Sequence, residues 1–195
     1  MAGERVTVVG AGLIGLLVVS VLSQLHLTTL RAVDPLPTRR ALARLLGATE
    51  ATDPAALAKG EEEELEADTS IEVSGVAAGL QTALDFTGYG GRVVVGSWYG
   101  NHEKPATLRL GLPFHRSHLR VQCSQVSHIS TELQDRWSKA RRFGVAWDLV
   151  RRLRPSRALT TLVVPPQRVA EAFEALDQRA VETLAVLIDY RQQER

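Results

Sequence analysis

Short β-branched runs alternate along this chain with longer stretches whose apolar residues recur at helical spacing. Residues 5–9 (RVTVV) form the first run and stop at glycine, as expected of a strand buried on both faces. Residues 13–25 are rich in Leu and Val and predict a buried helix. A second strand is expected at 28–33, halted by Asp34-Pro35, and a second helix at 38–46, closed by Gly47. Residues 49–52 fit a weak edge strand, and Asp53-Pro54, a capping residue followed by proline, opens another helix. A strand at 70–73, a helix at 77–86, a glycine-rich turn at 88–91 and strands at 92–95 and 119–123 continue the alternation. Strand and helix alternating at this pitch imply right-handed βαβ units, hence an α/β fold with a parallel sheet and helices on both faces.

The pattern changes after Ile129. Residues 131–153 predict one long helix or two, with Trp137, Ala140, Phe143, Trp147, Val150 and Leu153 as apolar positions and Pro155 as the stop. A strand at 159–163, a helix at 166–176 and a strand at 184–188 then look like parts of a different domain. The expected organisation is a nucleotide-binding domain over 1–130, connecting helix or helices over 131–157, and a C-terminal segment over 158–195.

Composition acts mainly by exclusion. The 195 residues carry 23 basic and 22 acidic side chains, with 45% apolar and 23% charged residues, which are ordinary globular values. A net charge of +1 argues against nucleic-acid binding driven by overall field. The single Cys123 permits no intrachain disulfide and no cysteine-based zinc site; it reads as an inert small hydrophobe on a buried strand, consistent with a cytoplasmic location. The apolar run over 13–25 is shorter than the ~20 residues a bilayer requires, and glycines interrupt the stretch before it, so neither a membrane span nor a signal peptide is expected.

The sharpest motif is Gly10-Ala11-Gly12-Leu13-Ile14-Gly15, a G-x-G-x-x-G run that follows a strand and opens a helix. In that context Gly10 permits the tight turn, Gly12 lets the backbone approach a pyrophosphate, and Gly15 lets helix and strand lie close. The helix N-terminus, with the N–H groups of Leu13 and Ile14, offers donors and partial positive charge to phosphates. Asp34 lies 19 residues beyond Gly15, where an acid hydrogen-bonds the adenosine ribose; its other reading is a cap for the following helix. A carboxylate there favours NAD over NADP. Arg39 and Arg40 complicate this, since an arginine near the ribose accommodates a 2′-phosphate, although Arg39 could instead lie over the adenine.

With these residues in view, 5–190 resembles the C-terminal portion of the medium-chain dehydrogenases, the zinc-type alcohol dehydrogenase superfamily. The matching stretches are VTVVGAGLIG at 6–15, VDP at 33–35, RRALARLLGA at 39–48, IEVSG at 71–75 and GGRVVVG at 90–96, with weaker likeness at 114–116, 124–127 and 185–190. The resemblance implies a Rossmann doubly wound sheet and a C-terminal strand–helix–strand remnant that completes a catalytic domain this chain does not contain. It implies that Ser74, Gly75 and the Gly96 turn border the nicotinamide half of the cofactor, that Ser124 lies near the carboxamide, and that the strand at 119–123 pairs two copies into a homodimer. The catalytic zinc ligands and proton relay belong to the absent domain, so no zinc is expected in this chain; either a separate chain supplies that domain or this sequence is a truncated part of a longer one. Ala185 stands where some relatives carry a basic residue reaching the cofactor phosphates.

Other chemistry is weaker. His115 and His118 could share a helical turn, but no carboxylate or thiol accompanies them, so surface or packing roles are expected of them and of His26, His102 and His128. No nucleophile elbow or P-loop lysine occurs; Ser97 follows Gly96 without a second flanking glycine. Residues 136–157 carry a local charge of +7 and residues 50–72 one of −8, including five glutamates over 61–66. These are expected as two solvated faces, with self-association or docking of an acidic partner as the alternative. RNA binding would need aromatics exposed between the arginines, whereas Trp137, Phe143 and Trp147 are expected in the core. The expected function is the NAD(H)-binding half of an oxidoreductase, inactive alone. The alternatives are a non-catalytic nucleotide sensor or scaffold, and a zinc-independent reductase using Tyr99 or His102 as proton donor, neither with a visible partner.

Overall fold

A computed structural model describes residues 2–57, 66–100, 107–178 and 183–191. The β-branched run Arg5–Val9 forms β1, and Leu13–Leu22 forms α1 directly after the glycine turn. β2 (Thr29–Val33), α2 (Pro37–Leu45), β3 (Glu50–Thr52) and the single turn α3 (Pro54–Leu57) follow, then β4 (Ala67–Glu72), α4 (Ala77–Phe86), β5 (Thr87–Val95) and β6 (Arg120–Cys123). All six strands are parallel, in the order β3-β2-β1-β4-β5-β6. The parallel sheet is the one expected from the alternation, in the doubly wound arrangement that the resemblance implies, and its order reverses direction between β1 and β4.

The core explains the apolar runs. β1 is buried from Val6 to Val9 because helices cover both faces of the sheet. Val9, Val33, Ala83, Leu84, Val93 and Leu119 form one buried cluster that joins strand ends to α4, with Phe86 and Phe114 packed against it. Phe114 belongs to a wide helical turn at Gly111–Arg116, a segment to which the apolar pattern assigned no element.

Several expectations are corrected. The glycines at 88–91 lie within β5 as an irregularity: Ala67 pairs with Thr87, yet Thr69 pairs with Arg92, so three extra residues bulge out. Gly90, at φ +73°, takes a conformation that side chains resist. Cys123 is exposed, as is every residue of β6, because a sheet-edge strand has a neighbour on one side only. The stretch 131–153 is a single turn at Thr131–Leu133 followed by α5 (Lys139–Leu153). Ser138 separates them: its Oγ accepts the Arg141 N–H at 3.1 Å, a side-chain cap that starts a new helix. α5 buries no residue, and Phe143 and Trp147 are 58% and 59% exposed. Trp137 is half-buried beneath the Arg141 guanidinium, 4.4 Å from its ring centre.

The chain divides into two compact units, residues 1–153 and 154–195. Within the second, α6 (Ser156–Leu159) leads into β7 (Thr160–Val164), and α7 (Val169–Asp177) precedes β8 (Ala185–Ile188), which pairs parallel with β7. Leu159, Val164, Ala172 and Leu184 form its buried apolar positions. Among the described residues no helix is long and apolar enough to cross a membrane.

Candidate functional site

Parallel strands bring their C-terminal ends to one edge, so the turns after β1, β2, β4, β5 and β6 lie along a common rim. Gly10, Gly12, Asp34, Ser74, Gly75, Gly96 and Ser124 all belong to these turns. Gly10 has φ +95°, and a Cβ there would sit 2.6 Å from the Ser74 Cα, so the β1 turn and the β4 turn touch backbone to backbone. A Cβ on Gly15 would meet the Gly10 carbonyl oxygen at 1.8 Å, which is what allows α1 to begin against β1. Gly12 differs: a Cβ there would meet nothing within 4 Å. No side chain caps α1, where Gly12 is the N-cap, and Leu13 and Ile14 of its first turn are exposed. An open backbone approach thus adjoins a helix terminus bearing partial positive charge, which is the surrounding a pyrophosphate requires.

Asp34 is buried at the end of β2, and both its oxygens are engaged. Oδ2 accepts the Ala11 N–H at 2.8 Å, inside the glycine turn, and Oδ1 accepts the Leu36 N–H at 2.9 Å. It does not cap α2, whose N-cap is Leu36 with no side-chain bond. The carboxylate therefore fixes the spacing between glycine turn and β2, and each oxygen retains a lone pair to accept a hydroxyl. Arg40 turns back to the chain: its Nη1 donates to the Asp34 and Pro35 carbonyls at 2.7 and 2.8 Å and to the Asp53 carboxylate at 3.1 Å. Arg39 is half-buried on the first turn of α2; burial pulls its guanidinium below the ordinary arginine value, and the nearby Asp34 charge opposes this.

At the other side of the order reversal, the residues after β4 are fastened by a group the sequence reading placed on a solvated acidic face. Glu72 is fully buried. Its Oε1 accepts the Ser74 N–H at 2.7 Å and the Ser74 hydroxyl at 2.5 Å, and its Oε2 accepts the Tyr99 hydroxyl at 2.5 Å. Tyr99 therefore has a partner, contrary to expectation; His102 lies outside the described residues. Gly75, at φ +76°, donates its N–H to Ser97 Oγ at 2.8 Å. Gly96 donates to the Glu72 carbonyl and Ser124 to the Val95 carbonyl, at 2.8 and 2.7 Å, so these two extend the rim along β5 and β6. Among the described residues no hydrogen bond joins Ser124 to the β4 turn. The signal that could have revealed Glu72 is its register: an acid on an all-parallel central strand, two residues before a Ser-Gly turn.

A cavity of about 350 Å³ lies elsewhere, at the N-terminal ends of the strands, lined by Glu4, Asp68, Tyr89, Arg92 and Arg120. Among the described residues no group of three or more His, Cys, Asp or Glu side chains could hold a metal ion. His115 and His118 are exposed, with His118 in tilted ring contact with Tyr89.

A parallel sheet in this order, with a glycine turn on its first strand and an acid ending the second, defines a doubly wound dinucleotide-binding architecture. The chain belongs to the zinc-binding dehydrogenase family, whose sequence profile matches residues 14–145, and thus to the medium-chain dehydrogenases. It is 30% identical to D-guloside 3-dehydrogenase of Escherichia coli over 155 residues, covering 76% of this chain and 43% of that protein. Among solved structures it is similar to an alcohol dehydrogenase of Escherichia coli CFT073 complexed with NADH (TM-score 0.76, 21% identity, 97% of this chain and 53% of that one). It is also similar to a zinc-binding dehydrogenase of Sinorhizobium meliloti 1021 bound to NADP (TM-score 0.64, 26% identity, 88% and 48%). The chain thus spans about half the length of these relatives or less.

Proposed function

We propose that this chain is the NAD(H)-binding half of a medium-chain dehydrogenase-type oxidoreductase. The observation that carries the reading is the Asp34 carboxylate, bonded into the glycine turn beside the one open glycine of that turn. A ribose diol can donate to this carboxylate, whereas a 2′-phosphate would meet its negative charge, and Arg40, engaged with two carbonyls and Asp53, is poorly placed to compensate. The residues fit a dinucleotide: Gly12, Leu13, Ile14 and the uncapped end of α1 for the pyrophosphate, Gly10 and Gly15 for the turn, Asp34 and Arg39 for the adenosine half. Ser74, Gly75, Gly96 and Ser124 would border the nicotinamide half. When bound, the nicotinamide would supply hydride transfer to or from an alcohol or carbonyl carbon, while the chain's own part is to bind, orient and shield it.

Because the chain spans about half the length of its relatives, we assign substrate binding, any zinc and the proton relay to residues outside this sequence. The chain alone would then bind cofactor without turning over alcohols. The wholly exposed edge strand β6 is the surface assigned to pairing with a second copy. Titrating NADH and NADPH against the intrinsic fluorescence of the three tryptophans tests the reading: tighter NADH binding is expected, and equal or reversed affinity overturns the role of Asp34.

A further inference from the structure

The buried carboxylate of Glu72 stands at the order reversal of the sheet, and each group around it donates to it. Ser74 gives both its N–H and its hydroxyl, and Tyr99 gives its phenol across from the segment that follows β5. α4 closes over the same spot: a Cβ on Gly79 would lie 2.0 Å from Ser74 Oγ and 3.2 Å from Glu72 Oε1. The carboxylate therefore also lies beside the first turn of the ten-residue helix α4, whose dipole favours an acidic group there. A carboxylate without such partners would be strongly destabilising in the interior.

The same bonds immobilise the turn above Glu72. Three consecutive backbone N–H groups are taken by side chains: Ser74 by Glu72 Oε1, Gly75 by Ser97 Oγ at 2.8 Å, and Val76 by Ser74 Oγ at 3.2 Å. Ser97 and Tyr99 both come from the segment after β5, so that segment is bonded to the β4 turn at two points, one directly and one through Glu72. The Ser74 backbone in turn abuts Gly10. Removing the phenol would take away one of the side-chain ties between the segment after β5 and the β4 turn and leave Glu72 Oε2 without this donor.

We propose that Tyr99 is a positioning residue: through the buried carboxylate of Glu72 it holds the turn at 74–76 in the conformation that seats the nicotinamide half of the dinucleotide. This rests on the cofactor reading above. The adenosine half is assigned to other groups, Asp34 and the α1 terminus, so the two halves of the ligand should respond separately.

The experiment measures Kd for NADH and for ADP, which lacks the nicotinamide half, by calorimetry on the wild-type chain and on Tyr99→Phe and Glu72→Gln. Tyr99→Phe is expected to weaken NADH about tenfold, the scale of one hydrogen bond to a charged acceptor, and to leave ADP within about twofold. It should also shift the emission of bound NADH toward that of the free cofactor. Glu72→Gln should change the two ligands in the same selective way. NADH and ADP weakening by the same factor, or neither changing in Tyr99→Phe, overturns the positioning role. If the wild-type chain binds no ADP, the cofactor reading itself falls, and the inference falls with it. Should Glu72→Gln fail to fold, the Tyr99→Phe ratio alone decides.

Discussion

At the turn between β1 and α1, every close approach of the backbone is closed by another part of the same chain; along α5 an apolar face stays open. The Gly10 carbonyl fills the space beside Gly15, the Ser74 backbone fills the space beside Gly10, and Asp34 accepts the Ala11 N–H. In α5, Phe143, Trp147 and Val150 follow one another at helical spacing on one face, and all three are exposed. Both regions carry strong sequence signals. The difference is that the turn is determined by neighbours within about thirty residues or on adjoining strands, while helical periodicity specifies an apolar face without specifying what covers it.

The largest effect should come from breaking the closed region. Gly15→Ala places a Cβ 1.8 Å from a backbone oxygen and 2.9 Å from its carbon, and neither atom can rotate away. A stability loss of about 3 kcal/mol is expected from this overpacking, or a fall of roughly 6–12 °C in Tm for a chain of this size. Urea denaturation checks it, and a loss below about 1 kcal/mol would mean that α1 does not depend on its contact with β1.

Gly12→Val tests the one position of that turn left open. Its φ of −70° suits any L residue, so the fold should lose about 1 kcal/mol or less, the difference between glycine and valine at an N-cap. NADH affinity should fall by at least about a hundredfold, because the added side chain enters the space assigned to the pyrophosphate. Unchanged affinity with an intact fold would remove the glycine turn from the binding site.

Asp34→Asn has a smaller effect on both quantities. One carboxylate oxygen becomes an amide nitrogen facing the Ala11 or the Leu36 N–H, at an expected cost of about 1–2 kcal/mol. The lost charge should also move the NADH-to-NADPH affinity ratio toward NADPH. Paired titrations read that ratio, and an unmoved ratio would locate discrimination in another residue.

How far the sequence was legible follows the same division. The parallel sheet with helices on both faces, the helix Ala77–Phe86 to the residue, and the strand ends bearing the glycine turn and Asp34 followed from periodicity and turn chemistry, while the Rossmann arrangement followed from the family resemblance. The break at Ser138 was left open because a mid-run serine caps a helix only when its Oγ finds the N–H three residues on, which three-dimensional geometry decides. Glu72 was hidden by composition: it ends an acid-rich stretch, and only the burial of β4 on both faces sets it apart from that stretch. Cys123 was misplaced because the alternation Leu119-Arg-Val-Gln-Cys123 does not say whether its apolar face is covered.

The smallest effect is expected where α5 is open, and there a near-zero result is the informative one. Trp147→Ser removes a 59%-exposed ring from a helix that buries nothing, so the stability of the isolated chain should change by no more than about 0.5 kcal/mol. Burial of the ring elsewhere would instead cost several kcal/mol, as truncation of a covered aromatic does. A small value in the isolated chain, together with a large one in a protein that also carries the assigned substrate-binding part, would establish that the α5 face is covered by that part. A large value in the isolated chain would show that the ring is already covered, and the dependence of Tm on protein concentration would then separate self-association from a contact within one molecule.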